Sequence, residues 1–256
     1  MKLGMVTYLW GAQWDLPTLI KNCEATDFEG VELRSTHKHG VEVTLSQQER
    51  KDVKKRFADS RVECVGVGSA CEFHSADHGV VRQNIELAKQ FVVLSHDIGA
   101  SGVKVRPNGF VKGIPREKTI EQIGKSLNEC GTFAAEYNQE IRVEVHGKGT
   151  KDPSVLKQIM DVADHPRVTV CWNSNPGETI NGSIKQNFDL LKKRIGRVVH
   201  IHDLYDSRYP YRELFSLLRG TGFQGYCLSE SPATSDPLRV MRYYKAMWKE
   251  LQRPLS

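Results

Sequence analysis

Acidic and imidazole side chains recur at the ends of short β-branched runs in this chain. VEVHG carries Glu144 two residues before His146, VHIHD carries His200 two residues before His202, and CLSES carries Glu230. Residues two apart on a strand point to the same face. Carboxylates and imidazoles that converge can bind a divalent cation or transfer protons to and from a substrate.

Further polar side chains end other runs of the same kind. We predict that they bind or orient a substrate, and the set comprises Glu32, Arg34, His74, Lys104, Arg106, His202 and Asn175. Each residue alone has a structural explanation: Glu144 could pair with Lys104, and His200 could be a hydrogen-bonded core histidine. Their joint occurrence favours a functional site, because buried charges are costly unless they are paired or bind a metal.

A scaffold must bring these run ends together. Strand-like runs alternate with helical segments along the chain, at Lys2–Thr7, Gly30–Arg34, Glu63–Val67, Gly102–Arg106, Ile141–His146, Val168–Trp172, Arg197–His202 and Gly225–Ser229. Such alternation predicts a parallel sheet with helical crossovers. Eight units in 256 residues favour a single (β/α)8 TIM barrel, one domain over residues 1–256, whose functional site lies at the carboxyl ends of the strands.

Capping residues mark several predicted helices. Ser46 and Glu49 have the spacing of a capping box, and Asp152 and Asp236 each precede a proline that can begin a helix. Two helices carry apolar stripes, one formed by Ile120, Ile123, Leu127 and Cys130, and the other by Leu238, Met241, Trp248 and Leu251.

Composition argues against several functional classes. The net charge of +5 is dispersed, which favours solvated helix faces over a nucleic-acid surface. No apolar stretch approaches the roughly 18 residues of a membrane span. Six cysteines without a Cys-x-x-Cys pair favour free thiols in a reducing cytoplasm. The apolar helix faces could also support a homo-oligomer.

The strand-end motifs resemble those of the xylose isomerase-like barrels, the sugar phosphate isomerase/epimerase superfamily. The resemblance covers essentially the whole chain and is densest in the last four strands. It implies that Glu144, His200 and Glu230 are metal ligands, and that Asp203 is the acidic partner in the HIHD motif. The sixth strand of the family usually supplies an aspartate, whereas this chain has Asn173 in CWNSN.

This departure changes the expected metal site. A metal bound by Glu144, Asn173, His200 and Glu230 would face two ligand charges instead of three, which predicts lower affinity and higher Lewis acidity. The resemblance implies a divalent ion, with Mn²⁺ the first choice and Mg²⁺, Co²⁺ or Zn²⁺ as alternatives. Loss of metal binding, with the amide contacting substrate instead, is the other interpretation.

By resemblance, the chain is an isomerase or epimerase acting on a carbohydrate, with Glu144 and Glu230 as the acid/base pair. His146 would orient a hydroxyl or act as an alternative base. A lyase that eliminates from a 3-keto sugar, keto-glycoside or inosose begins with the same proton abstraction, so these residues do not separate the two. The loops after strands seven and eight lack the glycines of a phosphate cradle.

Two further classes remain as weaker interpretations. An apurinic endonuclease of this superfamily needs several metal ions, and the Asp-x-x-His and Asp-x-His motifs that would bind them are missing after the sixth and seventh strands. A non-catalytic sugar-binding barrel would account for Asn173. Metal content would distinguish an enzyme from a binding protein.

Overall fold

The strands predicted from the sequence pair side by side in one parallel sheet. The computed structural model describes residues 1–253, and its sheet order is β6-β5-β4-β3-β2-β1-β8-β7. The strands are β1 (Lys2–Val6), β2 (Gly30–Arg34), β3 (Glu63–Glu72), β4 (Gly102–Arg106), β5 (Glu140–Glu144), β6 (Val168–Cys171), β7 (Val198–Ile201) and β8 (Tyr226–Ser229). All eight predicted strands are confirmed.

Hydrogen bonds between β6 and the β7 region close the sheet into a barrel. The amide of Gly196 donates to the carbonyl of Val170 at 3.0 Å, and that of His200 donates to the carbonyl of Trp172 at 2.7 Å. The prediction of a single (β/α)8 barrel is therefore confirmed. The predicted domain ends at residue 256, and residues 254–256 lie outside the described part of the chain.

Helices follow the strands in alternation and surround the barrel. They are α1 (Leu16–Thr26), α2 (Gln47–Ala58), α3 (His78–Asp97), α4 (Arg116–Glu136), α5 (Pro153–Val162), α6 (Lys185–Leu191), α7 (Tyr211–Gly220) and α8 (Pro237–Leu251). The capping box of Ser46 and Glu49 is confirmed, as are the caps at Asp152 and Asp236. None of the described helices is long and apolar enough to cross a membrane.

Strand β3 is longer than predicted. It runs over Glu63–Glu72 instead of ending at Val67, and after an irregularity Glu72 pairs with Arg106 of β4. The hydroxyl of Ser69 donates to the carbonyl of Lys104 at 2.7 Å across the irregular part. The extension was missed because its glycine, serine and alanine residues have weak strand propensity. It carries Glu72 to the rim of the barrel.

The apolar core lies mainly between the sheet and the helices, and a smaller apolar cluster includes Val65, Cys171 and Leu228. Arg142 is fully buried, and its Nε donates to Glu140 Oε2 at 2.9 Å. A Cβ on Gly66 would lie 2.6 Å from the Arg142 guanidinium, so glycine there provides its space. All six cysteines are buried and unpaired.

Candidate metal centre and proton-transfer site

Three ligand-type side chains meet at the carboxyl end of the barrel. Glu144 ends β5, His200 lies in β7 and Glu230 follows β8, and one ligand atom of each lies within 4.8 Å of the other two. His200 Nδ1 is 3.7 Å from Glu144 Oε1 and 3.5 Å from Glu230 Oε2. The parallel strands produce this convergence, because their carboxyl ends all open on the same side.

Asn173 is the fourth predicted ligand. It immediately follows Trp172 on the segment between β6 and α6, and β6 pairs with β5. The residue is buried, with 3% of its surface exposed, and its Oδ1 has no hydrogen-bond partner within residues 1–253. A buried amide oxygen without a donor is an acceptor available to a cation or a substrate hydroxyl.

Lys104 of β4 enters the same cluster. Its Nζ donates to Glu144 Oε2 at 2.7 Å, and both side chains are almost completely buried. Burial raises the pKa of Glu144, but the ammonium of Lys104 and contact with His200 outweigh it, so the pKa lies below its usual value. Glu144 is therefore held as a carboxylate.

Glu32 of β2 lies on the other side of His200. Its Oε1 is 3.4 Å from His200 Nε2, and the residue has no exposed surface. This geometry allows His200 to present Nδ1 to a metal while a carboxylate orients Nε2, as metal-binding histidines commonly do.

The charges of this cluster suit a divalent cation. The carboxylates of Glu32, Glu144 and Glu230 outnumber the one ammonium of Lys104, which leaves two formal negative charges. Burial lowers the pKa of His200, but contacts with Cys171, Glu32 and Glu144 raise it well above its usual value. The cluster thus attracts positive charge, either as a proton on the imidazole or as a cation.

Buried polar atoms without partners give a second test of the fit. Within the described residues, both ring nitrogens of His200, both carboxylate oxygens of Glu32 and Oδ1 of Asn173 lack hydrogen bonds. Such groups are rarely left unpaired in folded proteins. A cation beside His200 Nδ1 would satisfy that nitrogen, and Asn173 Oδ1 is a further buried acceptor, so the chemistry of these donors fits a metal centre.

His146 is half-buried and lies beyond Glu144 on the same run. Its Nδ1 is 2.7 Å from Asn108 Oδ1. Burial lowers the pKa of His146, and the nearby Arg106 and Lys104 lower it further, although Glu144 partly offsets them. A neutral imidazole in this position could accept a proton or a hydrogen bond.

His202 and His74 each lie close to a carboxylate. His202 Nε2 lies 3.9 Å from Glu230 Oε2, and His74 Nδ1 lies 3.8 Å from Glu72 Oε2. Both side chains are partly exposed, so each could still contact a substrate.

Three other predicted substrate-binding residues make hydrogen bonds within the protein. Arg106 Nη2 donates to Glu72 Oε1 at 2.7 Å, and Arg34 Nη1 donates to the carbonyl of Ser35 at 2.6 Å. Asn175 Nδ2 donates to the carbonyl of Val145 at 2.7 Å. The first contact joins β4 to β3, and the last joins the segments that follow β6 and β5. Substrate binding by the three side chains stays a prediction.

The site region contains three further polar residues that were not predicted from the sequence, Glu72, Asn108 and Glu178. Glu72 and Asn108 lie at the rim beside His146, while Glu178 is completely buried and accepts a hydrogen bond from Tyr209 at 2.8 Å. A weak signal for Asn108 is the Pro-Asn-Gly turn after β4, and for Glu72 its position two residues before His74.

Residues 20–251 match the xylose isomerase-like TIM barrel family, so the chain belongs to this family. No curated protein matches the chain with significance.

Solved structures share the fold at low sequence identity. The 3-keto-D-glucoside 4-epimerase YcjR from E. coli superimposes with a TM-score of 0.82 and 13% identity, covering 98% of this chain and 99% of that one. The zinc-bound IolI protein has a TM-score of 0.75 and 17% identity, covering 98% and 96%. The probable 3-DHS dehydratase AsbF from Bacillus anthracis has a TM-score of 0.72 and 14% identity, covering 100% of both chains.

Proposed function

We propose that this chain is a metal-dependent sugar isomerase or epimerase that transfers a proton at a carbon next to a carbonyl. The observation that carries the proposal is the meeting of Glu144, His200 and Glu230 within 4.8 Å at the mouth of a barrel of this family. The similarity of the fold to YcjR and to the zinc-bound IolI protein also supports it.

We assign the metal to Glu144, Asn173, His200 and Glu230, with Mn²⁺ as the preferred ion and Mg²⁺, Co²⁺ or Zn²⁺ as alternatives. When bound, the cation would polarise the substrate carbonyl as a Lewis acid. The oxygen and nitrogen donors suit any of these ions, and the single neutral amide lowers the ligand charge.

Glu144 and Glu230 are the proposed proton-transfer pair. Glu230 is 19% exposed and opens toward the rim, whereas Glu144 is 3% exposed and hydrogen-bonded to Lys104. One carboxylate would remove the proton from one face of the carbon, and the other would return a proton to the opposite face. Lys104 would keep Glu144 charged before the transfer.

A lyase is the second candidate, and the imidazoles at the rim favour it specifically. Elimination needs a general acid for the leaving group, and His146 and His202 lie near Glu144 and Glu230. The fold similarity to AsbF supports the same candidate. Its substrate would be a 3-keto sugar, keto-glycoside or inosose.

Proton exchange with solvent tests the proposal directly. Metal-loaded protein would be incubated in D₂O with a panel of ketoses and 3-keto-glucosides. The products would be followed by NMR. An epimer or isomer carrying deuterium at the reacting carbon is expected, whereas a released aglycone or a dehydrated product would identify the lyase. Finding neither deuterium in any sugar nor an elimination product would contradict both enzymes.

We also infer a cytoplasmic location from the six buried, unpaired cysteines, which suit a reducing compartment. Association of the barrel into a homo-oligomer stays a prediction, testable by light scattering.

A further inference from the structure

A row of three side chains crosses the barrel rim from β3 to the end of β5, beside the proposed metal centre. Glu72 Oε1 accepts a hydrogen bond from Asn108 Nδ2, and Asn108 Oδ1 lies 2.7 Å from His146 Nδ1. Arg106 Nη2 donates to the same oxygen of Glu72 at 2.7 Å. The row thus connects a carboxylate to an imidazole through one amide group.

The chemistry of these groups fixes the direction of each hydrogen bond. Glu72 Oε1 is the acceptor for both Arg106 and Asn108, so the amide nitrogen of Asn108 must face Glu72. The amide oxygen then faces His146, and an oxygen of this kind can only accept. His146 Nδ1 must therefore carry the hydrogen.

The backbone holds this arrangement in place. Asn108 has a left-handed conformation with φ of 61°, which asparagine tolerates better than most residues. A Cβ on Gly147 would lie 2.5 Å from the Cα of Asn108, so only glycine lets the two loops approach this closely. The amide of Glu72 donates to Asn84 Oδ1 at 3.1 Å, which anchors the other end of the row to α3.

We propose that Glu72 and Asn108 are positioning residues that keep His146 in the tautomer protonated on Nδ1, so that Nε2 presents a lone pair to the substrate. Nε2 has no hydrogen-bond partner within residues 1–253. It is also absent from the buried unpaired atoms of those residues, so it remains accessible to a substrate. The role of Nε2 toward a substrate rests on the proposed function, but the tautomer does not.

The consequence for the reaction is directional. In the resting protein Nε2 can accept a proton from a substrate O–H bond, which forms an N–H bond and leaves the electron pair on the substrate oxygen. The same N–H then returns the proton to the product, so no further reactant is needed. With the opposite tautomer, Nε2 could only donate at the start of the cycle.

Long-range ¹H–¹⁵N spectra of the full chain, labelled on histidine, test the tautomer without substrate or metal. The His146 signals would be assigned by their absence from His146→Gln. We expect the pattern of a neutral ring protonated on Nδ1. Glu72→Ala should weaken this preference, because the freed Asn108 amide can then turn its nitrogen toward the ring. A wild-type ring protonated on Nε2, or an unchanged pattern in Glu72→Ala, would overturn the proposal.

Two variants control for a merely structural effect. Glu72→Gln keeps an oxygen that can accept from Arg106 and Asn108, so it should retain the wild-type tautomer. Glu129→Ala removes a carboxylate that accepts from Arg82 on the outer helices and should leave the His146 signals unchanged. A shift in Glu129→Ala as large as that in Glu72→Ala would reject a specific role.

Kinetics provide the link to function. Glu72→Ala should lower kcat by between about tenfold and 10⁴-fold with little change in KM, the range spanned by loss of an orienting group. Glu72→Gln should restore most of kcat, and failure to do so while the tautomer is retained would overturn the catalytic use of Nε2. If no sugar is turned over by wild type, the proposed function fails, but the spectra still decide the tautomer.

Discussion

The ammonium of Lys104 lies 2.7 Å from Glu144 Oε2, and both side chains are at most 7% exposed. Glu144 also faces His200 through its other oxygen at 3.7 Å. One buried carboxylate is therefore shared between a fixed positive charge and the position proposed for a cation. Lys104 offsets the charge of the cluster before a metal binds.

Lys104→Met should expose this role of the ammonium. Removing one partner of a buried ion pair costs about 3–5 kcal/mol, and we expect a loss of this size in the free energy of unfolding when metal is chelated. The loss of unfolding free energy should be smaller in saturating Mn²⁺. The cation binds only the folded state and stabilises it, and it supplies positive charge in place of the missing ammonium. Urea denaturation with EDTA and with Mn²⁺ measures both.

Lys125→Met is the matched control, since Lys125 forms an exposed pair with Glu121 on α4. Its effect should stay within about 0.5 kcal/mol in both conditions. An equal loss for Lys104→Met with and without metal would show that the ammonium and the cation act independently.

Asn173→Asp should strengthen metal binding, because it adds a third ligand charge. We expect the dissociation constant for Mn²⁺ to fall at least about tenfold, equivalent to about 1.4 kcal/mol, as measured by titration calorimetry. Asn175→Asp is the control two residues further on, since the Asn175 amide donates to the carbonyl of Val145. Equal gains in both variants would contradict direct ligation by residue 173.

Glu144→Gln and Glu230→Gln should each lower kcat by about 10²- to 10⁴-fold, because glutamine cannot exchange a proton. Metal content must be measured in parallel, since each residue is also a proposed ligand. Glu117→Gln, on the exposed start of α4, serves as the control. Wild-type rates in a metal-loaded Glu230→Gln protein would remove Glu230 from the proton-transfer pair.

The buried carboxyl of Glu178 should make stability depend on pH. Burial raises its pKa from 4.5 to about 8, and hydrogen bonds from Asn175 and Tyr209 offset only part of this rise. Between these two pH values the folded protein binds a proton that the unfolded chain releases, so the free energy of unfolding falls as pH increases.

Glu178→Gln cannot ionise and should lack this decline. Its stability relative to wild type should therefore rise between about pH 5 and 8, by up to about 1.4 kcal/mol per pH unit. Chemical denaturation at several pH values measures the slope, with Glu117→Gln as the control that keeps the wild-type profile. Parallel profiles for Glu178→Gln and wild type would show that Glu178 does not titrate in this range.

Much of the fold follows from the sequence because strand and helix patterns alternate so regularly. The strand ends also predicted that Glu144, His200 and Glu230 would converge, since a closed parallel barrel brings all carboxyl ends to one mouth. The partners of these residues were harder to assign. Glu32 was predicted to bind substrate, but whether it faces substrate or His200 depends on the depth of its side chain in the barrel, which periodicity does not specify.

The rim could be predicted least well. Glu72 became visible only through an irregular extension of β3, and Asn108 lies in a turn whose conformation depends on the close approach of Gly147. Contacts between two loops are set by packing of segments far apart in sequence. Motif spacing within one segment therefore carries little information about them.

The buried thiols give the protein an internal reporter of its own unfolding. Burial raises the pKa of all six cysteines, so the reactive thiolate is scarce and enclosed in the folded chain. A coloured disulfide reagent should therefore react at the rate at which the barrel opens, and each molecule should release six equivalents of chromophore when it does. Metal bound at the proposed centre should slow that colour change, because a ligand that binds only the folded barrel makes its opening rarer.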